Sequence, residues 1–186
     1  MANIGVIGAG SWGIALSVLL SNNGHDVKVW SIIEDEIKML QENHEHKDKL
    51  PGVILSDKIM FTTDLKEAVE GKDLLVLAVP SPFVRSTAAS LRDVVSDGQI
   101  IVNVAKGIEE STLMTLSQII EEEVPQAVVT VLSGPSHAEE VGRGIPTTIV
   151  VGASKQKTAE YIQNIAPFKC RCEPEKTKCA LWQRWI

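Results

Sequence analysis

The chain has 186 residues, a formal net charge of -6, and 44% hydrophobic against 23% charged residues. That is the balance of one globular domain large enough for a sizeable core. The acidity excludes a general affinity for nucleic acid or anionic membrane, so any bound phosphate must be held by local donors.

No apolar run approaches the ~20 residues that span a bilayer. No basic region precedes Ile4, so no signal peptide is expected and a cytoplasmic location is the default. The three cysteines, Cys170, Cys172 and Cys179, sit close to the C-terminal end. An odd count argues against a disulfide framework, and the spacing fits no common zinc pattern, so no metal site is expected.

Residues 4–7 are a short apolar run that reads as a buried strand, and residues 14–20 read as a helix. Between them stands Gly8-Ala9-Gly10-Ser11-Trp12-Gly13, a Gly-x-Gly-x-x-Gly turn. A dinucleotide-binding turn needs this arrangement: Gly8 for the tight turn, Gly10 for close approach to a pyrophosphate, Gly13 for helix–strand packing. Backbone N–H groups at the helix start then face the phosphates. The competing reading is a glycine-rich turn without a ligand; the flanking strand and helix favour binding.

Gly24 supplies a helix C-cap, and residues 26–30 alternate as a second strand. An acid at that strand's end suits the ribose of NAD, whereas an Arg suits the phosphate of NADP. Here Ser31-Ile32-Ile33 is followed by Glu34 and Asp35, with no Arg near, which leans towards NAD unless the two acids are simply first-turn helix acids. Residues 34–40 look helical. His44 and His46 follow in a polar stretch and read as bystanders on a solvated helix end. Residues 59–62 are a short strand, then Asp64 and Glu67 resemble a capping box and Gly71 closes the helix.

Residues 73–79 are nearly all apolar, as in a parallel strand covered on both faces. The run ends at Pro80-Ser81-Pro82-Phe83, a second corner, where Phe83 either packs on a cofactor ring or packs within the core or the loop. A helix then runs to about Val95. Residues 99–105 form the next strand, ending at Lys106-Gly107, where a lysine can hold a phosphate or carboxylate or polarise a carbonyl. Residues 111–123 read as an amphipathic helix and 127–132 as a strand. The small-residue corner Ser133-Gly134-Pro135-Ser136-His137-Ala138 follows. His137 has the chemistry of a general base, but sequence proximity does not establish reach. A strand at 146–152 and a helix from a Ser154 cap to about Ile165 complete the alternation, which specifies a doubly wound α/β domain with a mostly parallel sheet.

Taken together, the glycine turn, Ala78-Val79-Pro80-Ser81, Lys106-Gly107-Ile108-Glu109 and residues 132–141 closely resemble the N-terminal, Rossmann-like domain of NAD(P)-dependent sn-glycerol-3-phosphate dehydrogenase. The resemblance covers residues 2–165. It implies an oxidoreductase that interconverts sn-glycerol 3-phosphate and dihydroxyacetone phosphate with NAD or NADP and supplies glycerophospholipid precursors. On the family's pattern Gly8, Gly10, Ser11, Trp12, Gly13, Ile32, Phe83, Lys106 and Ala138 lie on the cofactor, and Lys106, Gly134 and Ser136 on the substrate. It also implies a homodimer of the full-length enzyme and no nucleic-acid partner.

Two departures stand out. Ile32-Ile33 replaces the His-Arg found in many bacterial members, against NADP. The family continues into an all-helical C-terminal domain with a catalytic Lys followed by Asn, and residues 168–186 resemble none of it. The expectation is therefore a cofactor-binding domain at 1–167, a tail at 168–186 that reads as out-of-frame or artificial, no catalytic residue within the chain, and little or no turnover for the chain alone. The alternatives are another β-hydroxyacid-type dehydrogenase or a non-catalytic dinucleotide-binding module.

Overall fold

The computed structural model describes residues 1–166 and the backbone of one further strand, Lys169–Pro174. The chain alternates as expected: β1 (Asn3–Ile7), α1 (Ser11–Asn22), β2 (Asp26–Trp30), α2 (Glu34–Asn43), β3 (Met60–Thr62), α3 (Leu65–Val69) and β4 (Leu74–Leu77). A 3-10 turn (Ser81–Phe83) leads into α4 (Val84–Leu91), β5 (Ile100–Asn103), α5 (Leu116–Glu123), β6 (Val128–Ser133), α6 (Ala138–Gly142), β7 (Thr148–Ala153), α7 (Gln156–Ile165) and β8 (Lys169–Pro174).

The strands form one sheet in the order β3-β2-β1-β4-β5-β6-β7-β8. Strands β1 to β6 are parallel, β7 runs antiparallel to β6, and β8 pairs parallel with β7. The order reverses between β1 and β4, which opens a crevice at the carboxyl ends of those strands.

Period-two alternation divides the core. Ile4, Val6, Leu74, Val76 and Val102 face one layer with α1 and α7, while Ile7, Leu75, Leu77 and Ile101 face the other with α3, α4 and α5. Both faces are covered, which is why these strands read as continuous apolar runs rather than alternating ones. Gly5 in β1 was not singled out by sequence. A Cβ there would collide with the Ala68 carbonyl oxygen, so α3 packs directly on that strand.

Several local expectations are corrected. The helix expected from residue 111 begins at Leu116, because Thr115 and Gln118 form a reciprocal capping box. At α3 only half a box forms: Asp64 accepts from the Lys66 and Glu67 N–H groups, but the Glu67 carboxylate turns to Lys28 and Thr62. Ser154 is not the cap of α7; Lys155 holds that position without a side-chain bond. The helix expected to reach Val95 ends at Leu91. The sequence reading also placed no strand at 169–174, although Lys169, Arg171 and Glu173 alternate with Cys170 and Cys172 in the period-two pattern that marks one. Residues 167, 168 and 175–186, including Cys179, lie outside the described residues, and with them most of the segment read as out-of-frame or artificial.

Of the two histidines near α2, His44 stands partly exposed at the helix C-cap, but the expected placement of His46 is corrected. His46 is buried, not solvated, and its Nε2 donates to Glu36 Oε1 at 3.0 Å while its Nδ1 accepts from the Lys49 N–H. Glu36, itself buried, also takes bonds from Ser31 Oγ and Lys49 Nζ. Ser31 Oγ accepts from the Ile33 N–H, so this network pins the turn between β2 and α2. Burial pushes the Glu36 carboxyl up, but the bonds from Lys49, Ser31 and His46 outweigh it and hold it below the ordinary carboxylate value. A lowered folded-state pKa contributes stability above the unfolded value near ~4.3 and loses it as pH falls further. Glu36→Ala is expected to cost about 2 kcal/mol at pH 7, reduced from the fully buried case because Lys49 is half exposed. The difference from the parent should narrow below pH ~4; urea unfolding at both pH values measures it.

Candidate functional site

Four chain corners meet at the carboxyl ends of the parallel strands and enclose a cleft of about 450 Å³, within the usual range for small-molecule and cofactor sites. Gly10, Ser11 and Trp12 form one wall at the start of α1. Residues 78–81 after β4 and 104–106 after β5 form the next two, and residues 136–139 at the start of α6 close the fourth side.

The glycine turn has three different geometries. Gly8 has φ +116°, donates its N–H to the Trp30 carbonyl at 2.9 Å, and leaves a Cβ only 2.8 Å from the Ala78 oxygen. A Cβ at Gly13 would fall on the Gly8 carbonyl oxygen, far inside van der Waals distance, so α1 sits directly on the end of β1. Gly10 has nothing within 4 Å of its Cβ position and opens onto the cleft. It is also the N-cap of α1, which has no side-chain cap and no acid in its first turn. The first N–H groups of a helix lack intrahelical acceptors. Here they carry the positive end of the helix dipole with no carboxylate in the helix's own first turn to offset it.

Lys106 lines the opposite wall and directs Nζ to the Gly134 carbonyl at 3.5 Å. Gly107 follows with φ +133°, its Cβ position 3.0 Å from Ser81 Cβ, so the corners after β4 and β5 close on each other there. Ser136 Oγ donates to the same Gly134 oxygen at 3.4 Å. Gly134 lies beneath this corner rather than on the cleft wall: a Cβ there would stand 3.0 Å from the Thr148 oxygen. His137 and Ala138 line the cleft at the start of α6, a short helix that sequence did not resolve.

The fold thus gathers Gly10, Ser11, Trp12, Lys106, Ser136 and Ala138 around one space, with Gly8, Gly13 and Gly134 shaping its walls. Ile32 and Phe83 stand outside this group. Ile32 is 78% exposed just past the end of β2, and Phe83 is 58% exposed in the 3-10 turn, which excludes a core role for it. Glu34 and Asp35 occupy the first turn of α2. Sequence reasoning missed Glu139 on the cleft wall, and also Asn103, whose fully buried side chain brackets the Ala105 backbone just behind Lys106. Asn directly before a strand-end corner is the signal that could have marked it. Among the described residues no group of three or more His, Cys, Asp or Glu side chains is placed to hold a metal ion, and no helix is long and apolar enough to cross a membrane.

The strand order, the glycine turn and the cleft at the point of reversal define a domain of the Rossmann, dinucleotide-binding class. More particularly, the chain belongs to the family described as NAD-dependent glycerol-3-phosphate dehydrogenase N-terminus, which matches residues 3–159. It is 62% identical over 165 residues to a glycerol-3-phosphate dehydrogenase [NAD(P)+] of Agathobacter rectalis, covering 89% of this chain and 49% of that protein. A protein of the same name from Fusobacterium nucleatum is 55% identical over 167 residues, covering 89% and 50%. Among solved structures, glycerol-3-phosphate dehydrogenase from Coxiella burnetii superposes with a TM-score of 0.85 at 26% identity, covering 94% of this chain and 54% of that one. The chain spans about half the length of the curated relatives it matches.

The two inner glycines separate stability from binding. Gly13→Ala is expected to destabilise by about 3 kcal/mol or more, since backbone and not a flexible side chain must move. Gly10→Ala should cost about 1 kcal/mol or less, the price of a poorer N-cap, yet weaken dinucleotide binding at least about tenfold by placing a methyl group where the phosphates approach. Urea unfolding and dinucleotide titration on both variants measure the split; a Gly13→Ala protein as stable as the parent would overturn the packing account.

Proposed function

We propose that this chain is the cofactor-binding half of an enzyme that interconverts sn-glycerol 3-phosphate and dihydroxyacetone phosphate with a nicotinamide dinucleotide, supplying glycerophospholipid precursors. The observation that carries the reading is the convergence of an unobstructed helix N-terminus and a lysine, from separate strand ends, on one cleft. Family membership and the names of the relatives support the reaction.

In this reading Gly10, Ser11 and Trp12 seat the pyrophosphate through backbone N–H groups, and Gly8 and Gly13 hold that turn in shape. Ala138 lines the cofactor side of the cleft, with Phe83 and Ile32 covering its outer parts. Lys106 contacts cofactor and substrate together. Its ammonium pairs with the substrate phosphate or polarises the carbonyl, and Ser136 and the Gly134 corner hold the substrate beside it. A nicotinamide held there would supply the hydride acceptor or donor. Residues 31–33 present no arginine to a 2′-phosphate, and Glu34 and Asp35 stand just beyond them, so NAD(H) is preferred to NADP(H).

Proton transfer requires a base, which the resemblance assigns to a Lys of an all-helical domain that this sequence does not match. Positioned general acid–base catalysis contributes about 10²- to 10⁴-fold. The 186-residue polypeptide is therefore expected to bind NADH but to oxidise it with dihydroxyacetone phosphate at least about 100-fold more slowly than a full-length relative. The full-length protein is read as a cytoplasmic homodimer.

Titration with NADH and NADPH, followed by the coupled assay, tests these points. Tight NADH binding with weak NADPH binding and little turnover is the expected result. Rates near those of a full-length relative would contradict the assignment of the base, and failure to bind either dinucleotide would contradict the whole reading.

A further inference from the structure

Lys106 stands at the start of a loop, residues 104–115, with little regular structure of its own. Yet the loop is fixed from both sides. Behind Lys106, Asn103 Oδ1 accepts from the Ala105 N–H at 3.1 Å and Nδ2 donates to the Ala105 carbonyl at 3.4 Å. Ahead of it, Glu109 is gripped by Arg85 of α4: Nε donates to Oε1 at 2.7 Å and Nη2 to Oε2 at 2.8 Å. This two-bonded fork is the form of the pair with the greatest geometric specificity. Thr112 Oγ1 donates to the same carboxylate at 2.6 Å, and Glu109 exchanges backbone bonds with Met114 and Leu113.

Arg85 is itself anchored. Its Nη1 donates to Glu123 Oε1 at 2.7 Å at the end of α5, and Glu122 stands 3.4 Å away. Arg92 holds Glu123 from the other side at 2.6 Å. None of these five charged side chains lines the cleft. They tie α4, α5 and the loop together on its outer side, three residues from the lysine. The bonds from Arg85 and then Thr112 hold the Glu109 carboxyl down at about 2, so the grip stays charged through the whole neutral range.

We propose that Glu109, oriented by Arg85, is a positioning residue that fixes where the Lys106 ammonium stands in the cleft and thereby sets the affinity for phosphate-bearing ligands bound there. The proposal rests on the reading of Lys106 as a ligand-contacting residue. The physical reason is preorganisation: a loop already held in its bound geometry loses less freedom when the ligand arrives. A point charge at position 85 cannot reproduce the fork, so the effect depends on arginine and not on charge alone.

The test uses the full 186-residue chain with Glu109→Ala, the shape-preserving Glu109→Gln, Arg85→Lys and Lys106→Met, alone and with Lys106→Met combined with Glu109→Gln. NADH affinity is measured by titration, the Lys106 side-chain amine signal by NMR, and folding by circular dichroism. Expected are a shifted Lys106 signal and about fivefold weaker NADH binding in Glu109→Gln and Arg85→Lys. In the Lys106→Met background, Glu109→Gln should have no further effect, because Glu109 acts through the lysine. Should Glu109→Ala fail to fold, the Gln and Lys variants carry the test. An unmoved Lys106 signal, or additive losses in the double variant, would overturn the proposal. Lys106→Met alone binding NADH as tightly as the parent would overturn the reading of Lys106 itself, a result visible without any change at Glu109.

Discussion

The seating of Gly13 on the Gly8 carbonyl is the contact on which the rest depends. Any side chain at position 13 would drive α1 off the end of β1. With the helix in place, its first turn points along the carboxyl end of the sheet, and Gly10 is the residue left facing open space. The reversal of strand order between β1 and β4 then sets Ala78 against Gly8 and brings the corners after β4 and β5 to the same crevice. The cleft is thus a consequence of one backbone-to-backbone approach propagated through sheet topology.

A protein with net charge -6 can attract an anion only where few of its acids face the binding surface. The structure limits the acids around the start of α1 and Lys106 in two ways. The first turn of α1 contains no acid, so no carboxylate of the helix itself offsets its dipole. Two acids on the outer side of the neighbouring loop and helix are held by cations, Glu109 by Arg85 and Glu123 by Arg85 and Arg92, while Glu139 is the acid that lines the cleft itself. Lys106, in contrast, faces a carbonyl and a cavity. Glu109, the acid three residues on in its own loop, is taken by Arg85 and does not compete for it.

Much of this was legible in the sequence, for a physical reason. Strands covered on both faces must be continuously apolar, and a tight turn with close backbone contact must use glycine, so β1, β4, β5 and the Gly8–Gly13 turn announce themselves locally. What escaped depends on partners distant in sequence. Glu36 and His46 each look like surface residues, and only folding brings them to one buried bond. Glu67 has the spacing of a capping box but is drawn away by Lys28, 39 residues earlier. The antiparallel run of β7 has no signature in its own residues, since an apolar strand reads the same in either direction. The grip of Arg85 on Glu109 spans 24 residues and could not be paired from composition.

Mapping NADH onto the chain by backbone amide NMR tests the central claim most directly. The predicted result is a set of perturbed amides confined to the strand-end corners, at Gly10 to Trp12, Ala78 to Ser81, Lys106 and Ser136 to Ala138, with the largest shifts at the start of α1. Perturbations centred instead on the separate cleft at the β3 edge, around Lys28, Gln41 and His44, would contradict it.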